Sequence, residues 1–162
     1  MIEGTLKNIR GVFDDLGLDP FIVSSTLLYL VRSGELKPMT LDFEIMAEED
    51  TLQLREKAKE ICKQRNFKVI FEEGMWVFDC LGHVEVHTVR LSRGFRYRDY
   101  GERGYLIWPK RHYEKWLYYS ILDRLWKIPS DPEGWLETYY GKDWRTEQEF
   151  SWSNHAQNLL KP

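Results

Sequence analysis

Residues 21–46 read FIVSSTLLYLVRSGELKPMTLDFEIM, and this stretch decides the fold. Phe21-Ile22-Val23 reads as a short buried strand. Ser24-Ser25-Thr26 precedes the apolar run that starts at Leu27, and hydroxyl residues in that place are an N-cap signature. Gly34 ends the predicted helix and Pro38 breaks the connecting segment. From Thr40 to Ala47 the chain alternates. Leu41, Phe43 and Ile45 point one way, and Asp42, Glu44 and Met46 point the other. The unit is strand, hydroxyl turn, helix, acidic strand.

Working outward, Leu6, Ile9, Val12, Phe13 and Leu16 recur at helical spacing, with Gly17 at the C-cap place. Residues 48–64 read as a surface helix. Residues 67–72, 75–81 and 83–91 read as three strands, turned at Gly74 and Gly82. This order predicts an α/β (α+β) fold, a mixed sheet flanked by helices, in one domain over residues 1–162. Beyond it, residues 92–104, SRGFRYRDYGERG, read as a loop that is mobile or functional. Residues 105–113 read as a strand. Residues 119–126, 133–140 and 152–160 read as helices.

Composition narrows the function classes. The chain has 162 residues, 43% of them hydrophobic and 30% charged, with a formal net charge of -3. That balance disfavours a dedicated nucleic-acid binder, which carries a basic excess. No apolar run approaches the length of a membrane span, and residues 1–15 lack the apolar core of a signal peptide, so a cytoplasmic location is expected. Cys62 and Cys80 show no metal-binding spacing and read as buried free thiols.

The chemistry sits on the acidic strand. Period two puts Asp42 and Glu44 on one face, about 7 Å apart at ~3.3 Å rise per residue. Two aligned carboxylates are oxygen ligands for a hard cation, Mg²⁺ or Mn²⁺, which binds substrate phosphates as well. The plain alternative is a solvated strand face. Ser25 and Thr26 open a helix, whose free N–H groups form an anion site; the same hydroxyls serve equally as simple caps.

These residues resemble the nucleotidyltransferase superfamily, whose pattern is an apolar residue, Gly, then Gly or Ser, a spacer and an Asp-apolar-Asp/Glu strand. The LicD and fukutin-related branch is the most similar. Its G-T-L-L-x-x-x-R-x-G-x-x-x-P stretch aligns without a gap on Ser25 through Pro38, and its D-I-D-I on Asp42-Phe43-Glu44-Ile45. A second segment, Ile128-Pro129-Ser130, Trp135-Leu136-Glu137 and Tyr140-Gly141-Lys142-Asp143-Trp144, is similar to that branch's V-P-S, Y-L-E and Y-G-x-x-W. Ser25 departs from the pattern by standing in place of the helix-opening Gly. Thr40 and Leu41 depart by standing where the branch carries further acids.

The resemblance implies a metal-dependent transferase of nucleotidyl or substituted-phosphate groups. It implies a nucleotide-activated small-molecule donor, CDP-linked in that branch, and a glycan or small-molecule acceptor. A third carboxylate is implied on a later strand. Glu85 between Val84 and Val86 fits, with Asp79 as its competitor. Asp42, Glu44 and Glu85 would then be the metal ligands and catalytic acids, with Ser25 and Thr26 on the donor phosphate.

Four further residue groups carry weaker signals. Arg32 and Lys37 are placed to contact phosphate oxygens or to complement a helix dipole. His87 shares the Glu85 face, as a base, a substrate contact or a structural histidine; His83 and His112 carry less. Arg90, Arg93, Arg96, Arg98 and Arg103, interleaved with Phe95, Tyr97 and Tyr100, read as a base-gripping loop or a solvated one. Two rival readings stand: an inactive nucleotide- or partner-binding module on the same fold, and a nucleotidyltransferase acting on RNA.

Overall fold

The computed structural model describes residues 2–37, 40–149 and 158–160. Alternation makes Thr40–Met46 a strand, β2, and this strand organises the sheet. It runs antiparallel to β1 (Phe21–Ile22) on one side and parallel to β5 (His83–Ser92) on the other. β5 also pairs antiparallel with β4 (Met75–Asp79), which pairs with β3 (Lys68–Glu72). Beyond β1 lie β9 (Arg124–Pro129), parallel to it, and the edge strand β8 (Trp116–Ile121). The late half of β5 turns into a second arm, β6 (Phe95–Asp99), β7 (Tyr105–Pro109) and β10 (Leu159–Leu160).

The apolar face of β2 makes the core. Leu41, Phe43 and Ile45 are buried, and Phe43 meets Phe13 of helix α1 (Ile2–Leu16) edge-on at 5.1 Å. Phe13 also meets Phe78 of β4 at 6.4 Å, so one ring spans two strands. Truncating such a ring costs about 3–5 kcal/mol. Helix α3 (Leu52–Gln64) buries Ala58, Ile61 and Cys62, with Thr51 capping its start. α1 approaches the β4–β5 turn closely: a Cβ at Gly82 would stand 2.5 Å from Thr5 Oγ1, so only glycine fits there. No described helix is long and apolar enough to cross a membrane.

Helix α2 (Ser24–Ser33) ends as expected at Gly34, left-handed at φ 70°, but it starts differently. Its N-cap is Val23, with no side-chain cap bond. Of the hydroxyls expected to cap it, those of Ser25 and Thr26 turn to β2, and that of Ser24 accepts from Arg98 of β6. Ser24 takes φ +50°, the left-handed region that glycine fills at no cost. The departure from a Gly at the helix opening therefore belongs to Ser24, one place before Ser25.

Three expectations further along give way. Residues 92–104 are not loop throughout: Phe95–Asp99 pairs with both β5 and β7, leaving turns at residues 93–94 and 100–104. The Phe-Arg-Tyr-Arg alternation is a strand in which Arg98 is the inward residue, buried to 2% exposure. Residues 119–126 are no helix but the heart of the β8–β9 hairpin, turned at Leu122 and Asp123 with φ of 51° and 59°. Two consecutive positive φ angles make a turn whose twist matches the strands. Leu159–Leu160 is a strand on β7 rather than helix, and the earlier part of that expected helix, like Pro38, lies outside the described residues. Helix α4 (Pro132–Tyr140) forms as expected, capped by Asp131, whose other oxygen meets the buried His112 at 3.0 Å.

Candidate functional site

The second face of β2 is neither solvated nor bare. Asp42 is 6% exposed and Glu44 is fully buried. Parallel pairing places Glu85 directly opposite Asp42, and His87 opposite Glu44. Opposed residues share a face, so four side chains gather there.

Three of them form a cluster. One ligand atom each from Asp42, Glu85 and His87 lies within 4.8 Å of the others. His87 Nε2 is 3.6 Å from Asp42 Oδ1 and 3.5 Å from Glu85 Oε2. Burial, reinforced by the Arg98 charge, lowers the His87 pKa below its ordinary value despite the two carboxylates. A neutral imidazole offers a lone pair. Glu85 is steadied from outside by His83, 3.1 Å from its other oxygen. Asp79, the competitor for third acid, sits at the exposed end of β4, opposite His83.

Asp42 is held by the start of α2. The Ser25 backbone N–H donates to Asp42 Oδ2 at 3.1 Å, and the Ser25 hydroxyl donates to the same oxygen. The Thr26 hydroxyl, fully buried, accepts from the Asp42 backbone N–H at 2.8 Å. Thr26 thus ties helix to strand, and Ser25 orients the carboxylate.

Glu44 belongs to a different set. Arg98 reaches from β6 and donates to Glu44 Oε2 from Nη2 at 3.0 Å and from Nε at 3.2 Å. Arg98 also donates to Ser24 Oγ at 3.4 Å and stacks its guanidinium 5.0 Å from the Trp108 ring. Glu44 Oε1 makes no hydrogen bond, and Arg96 Nη1 stands 3.8 Å from it. The pair Asp42 and Glu44 is therefore split: one acid joins the cluster, the other an ion pair.

The cluster lies in a cavity of about 710 Å³, whose wall includes Ser25, Tyr29, Arg98, Tyr139 and Tyr140. Arg32 lines it too, but its guanidinium donates to the carbonyls of Trp144 and, at 3.3 Å, Thr146. Its role here is to hold the segment after α4. Lys37 stands outside the cavity, exposed, 2.9 Å from Glu35. The sequence did not place Arg98 against Glu44, nor Tyr139 and Tyr140 on this cavity. Arg98 showed itself there only as one arginine among five.

No protein-family model and no curated protein sequence matches the chain. Among solved structures it is similar to ANT(2″)-Ia, an aminoglycoside nucleotidyltransferase, in complex with adenylyl-2″-tobramycin. The TM-score is 0.53 at 14% identity, covering 80% of this chain and 70% of the other. The fold is nucleotidyltransferase-like. No comparison supports the LicD and fukutin-related branch.

The donor set fits a divalent cation. Two carboxylates suit a hard ion, and the imidazole nitrogen is a further donor that divalent metals accept. At the adjacent N-terminus of α2 the Ser25 amide is spent on Asp42 Oδ2.

Proposed function

We propose that this chain transfers a nucleotidyl or substituted-phosphate group with the help of a divalent cation held by Asp42, Glu85 and His87. The observation that carries this reading is the convergence of buried Asp42 and His87 with half-buried Glu85 in a cavity at the start of α2. When bound, the cation neutralises phosphate charge and positions the reacting oxygens. Ser25 fixes the Asp42 carboxylate by two donated bonds, so it enters the site already oriented. His83 makes one contact to Glu85, at 3.1 Å. Tyr140, half-buried on the cavity wall and backed by buried Tyr139, supplies ring surface for a base or sugar.

The acceptor side favours a small molecule over RNA. Glu72, Glu73, Asp143 and Glu147 also line the cavity and repel a polyphosphate strand. They suit an amine-bearing acceptor, such as the tobramycin named with the structural neighbour. A cytidine donor rests on the LicD resemblance alone.

The test is metal-dependent nucleotide binding, measured by calorimetry with Mn²⁺ and each nucleoside triphosphate. Nucleotide binding that needs Mn²⁺ and disappears in Asp42→Asn supports the reading. Binding indifferent to both overturns it. That outcome would favour the second reading, a non-catalytic nucleotide-binding module, which has one observation behind it: Arg98 occupies the second acid of the strand pair.

A further inference from the structure

Arg98 lines the cavity together with Ser24, Ser25, Asp42 and His87, whereas Glu44 does not reach the cavity wall. A second cation bound beside the first would need a second acid on the Asp42 face. Glu44 is that acid, and a guanidinium already holds it.

The guanidinium is fixed in place. Nε and Nη2 donate to Glu44 Oε2 at 3.2 and 3.0 Å, and the rings of Trp108 and Trp135 lie 5.0 and 6.0 Å from its carbon. Nη1 donates elsewhere, to Ser24 Oγ at 3.4 Å. Ser24 adjoins Ser25, whose amide and hydroxyl hold Asp42. One helix start therefore touches both the Arg98 charge and the Asp42 carboxylate.

The charges around Glu44 do not cancel. Arg96 Nη1 stands 3.8 Å from Oε1, and its side chain is 14% exposed. Two guanidiniums converge on one carboxylate, so the three groups together carry a net positive charge. Glu44 Oε1 and Arg96 Nε make no hydrogen bond among the described residues. An ion pair kept for structure alone needs only one arginine. With Arg98 2% exposed, little water screens the excess charge from the cavity beside it.

We propose that Arg98 supplies the second positive charge of the site, a built-in guanidinium where a two-metal site would carry a second ion, directed at the phosphates of the donor. This rests on the transfer reading above and adds a stoichiometry to it, one divalent cation per chain. Arginine is always charged, and its fork matches phosphate oxygens. A phosphate oxygen in the cavity is a stronger acceptor for Nη1 than the neutral Ser24 hydroxyl. The strand pair thus divides its work: Asp42 serves the ion and Glu44 holds the guanidinium.

Two titrations of the full chain test this. Electron paramagnetic resonance counts bound Mn²⁺, and calorimetry follows binding of the Mg²⁺ complex of pyrophosphate. Wild type is expected to take one Mn²⁺ and to bind the pyrophosphate complex. Arg98→Met bares Glu44 and is expected to take two Mn²⁺. Adding Glu44→Gln is expected to return the count to one, with pyrophosphate bound about tenfold or more weakly than by wild type, the scale of one charge-assisted contact. Circular dichroism checks each fold; should Arg98→Met not fold, wild type and the double variant decide. A wild type that takes two ions or binds no pyrophosphate overturns the assignment of Arg98. So does a folded Arg98→Met that takes only one ion, or a double variant that holds pyrophosphate as wild type does. Each of these leaves the Asp42, Glu85 and His87 cation site standing. A wild type that takes no Mn²⁺ overturns that site itself, and the Arg98 assignment with it.

Discussion

Asp42 and Glu85 stand directly opposite one another on parallel strands, and His87 closes the triangle from the next inward position of β5. The three come from two strands whose pairing is central to the sheet. The site is therefore as rigid as the core behind it.

Asp42→Asn keeps the shape and the hydrogen bond from the Ser25 amide but removes the charge. The proposed activity is expected to fall by about 10²-fold or more, the scale of losing one electrostatic contact to the reacting group. Mn²⁺ binding, followed by electron paramagnetic resonance, is expected to weaken with it. Unchanged Mn²⁺ affinity would remove Asp42 from the cation site.

Glu44→Ala is expected to act on stability more than on metal. It strands the Arg98 guanidinium, 2% exposed, without its carboxylate. Breaking a buried pair from one side costs about 3–5 kcal/mol. Replacing both partners, Glu44→Gln with Arg98→Met, is expected to recover much of that loss in urea unfolding, while Mn²⁺ affinity stays within a few-fold of wild type. A large loss of Mn²⁺ affinity in the double variant would return Glu44 to the cation site.

Ser24→Gly is expected to stabilise the chain. Ser24 holds φ +50°, which costs a side-chain-bearing residue about 1–2 kcal/mol. The hydrogen bond it accepts from Arg98 is long, at 3.4 Å, and offsets little. Thermal unfolding is expected to rise by several degrees. A lower midpoint would show that the Arg98 contact outweighs the strain.

Burial pushes the Cys62 thiol up to about 11 and the Cys80 thiol up to about 12. Both are neutral and shielded at pH 8, so an aromatic disulfide reagent is expected to label neither until urea unfolds the chain. Raised thiol pKa values also set a sign. The stability they contribute is full below the unfolded thiol value near 8.5, and is lost as pH climbs towards 11 and 12. Cys80→Ala is expected to flatten that decline in urea midpoint between pH 8.5 and 11.

Much of the site was legible because β2 alternates so cleanly. Asp42 and Glu44 share their face as the period-two rule demands, and Glu85, not Asp79, lies opposite Asp42. Contacts between distant residues were not legible. Nothing in Asp42-x-Glu44 says that one acid will meet Arg98, 54 residues on from Glu44. β6 was missed because arginines on alternate positions look solvated until one is seen to turn inward. The β8–β9 hairpin was missed because its turn carries Leu122 and Asp123 rather than glycine, so the apolar spacing around it passed for a helix. The hydroxyl turn misled for a related reason: Ser24 adopts a backbone angle that serine seldom takes.

The single strand β5 supplies Glu85 and His87 from its first half and leads into the β6 arm with its second. One slipped residue along it would turn both side chains to the opposite side of the sheet and drag Arg98 off Glu44 in the same movement. Assembly of the Asp42–Glu85–His87 triangle and locking of the neighbouring ion pair are thus a single event. Intermediates with one formed and the other open are disfavoured, and damage at either end of β5 should be felt at both.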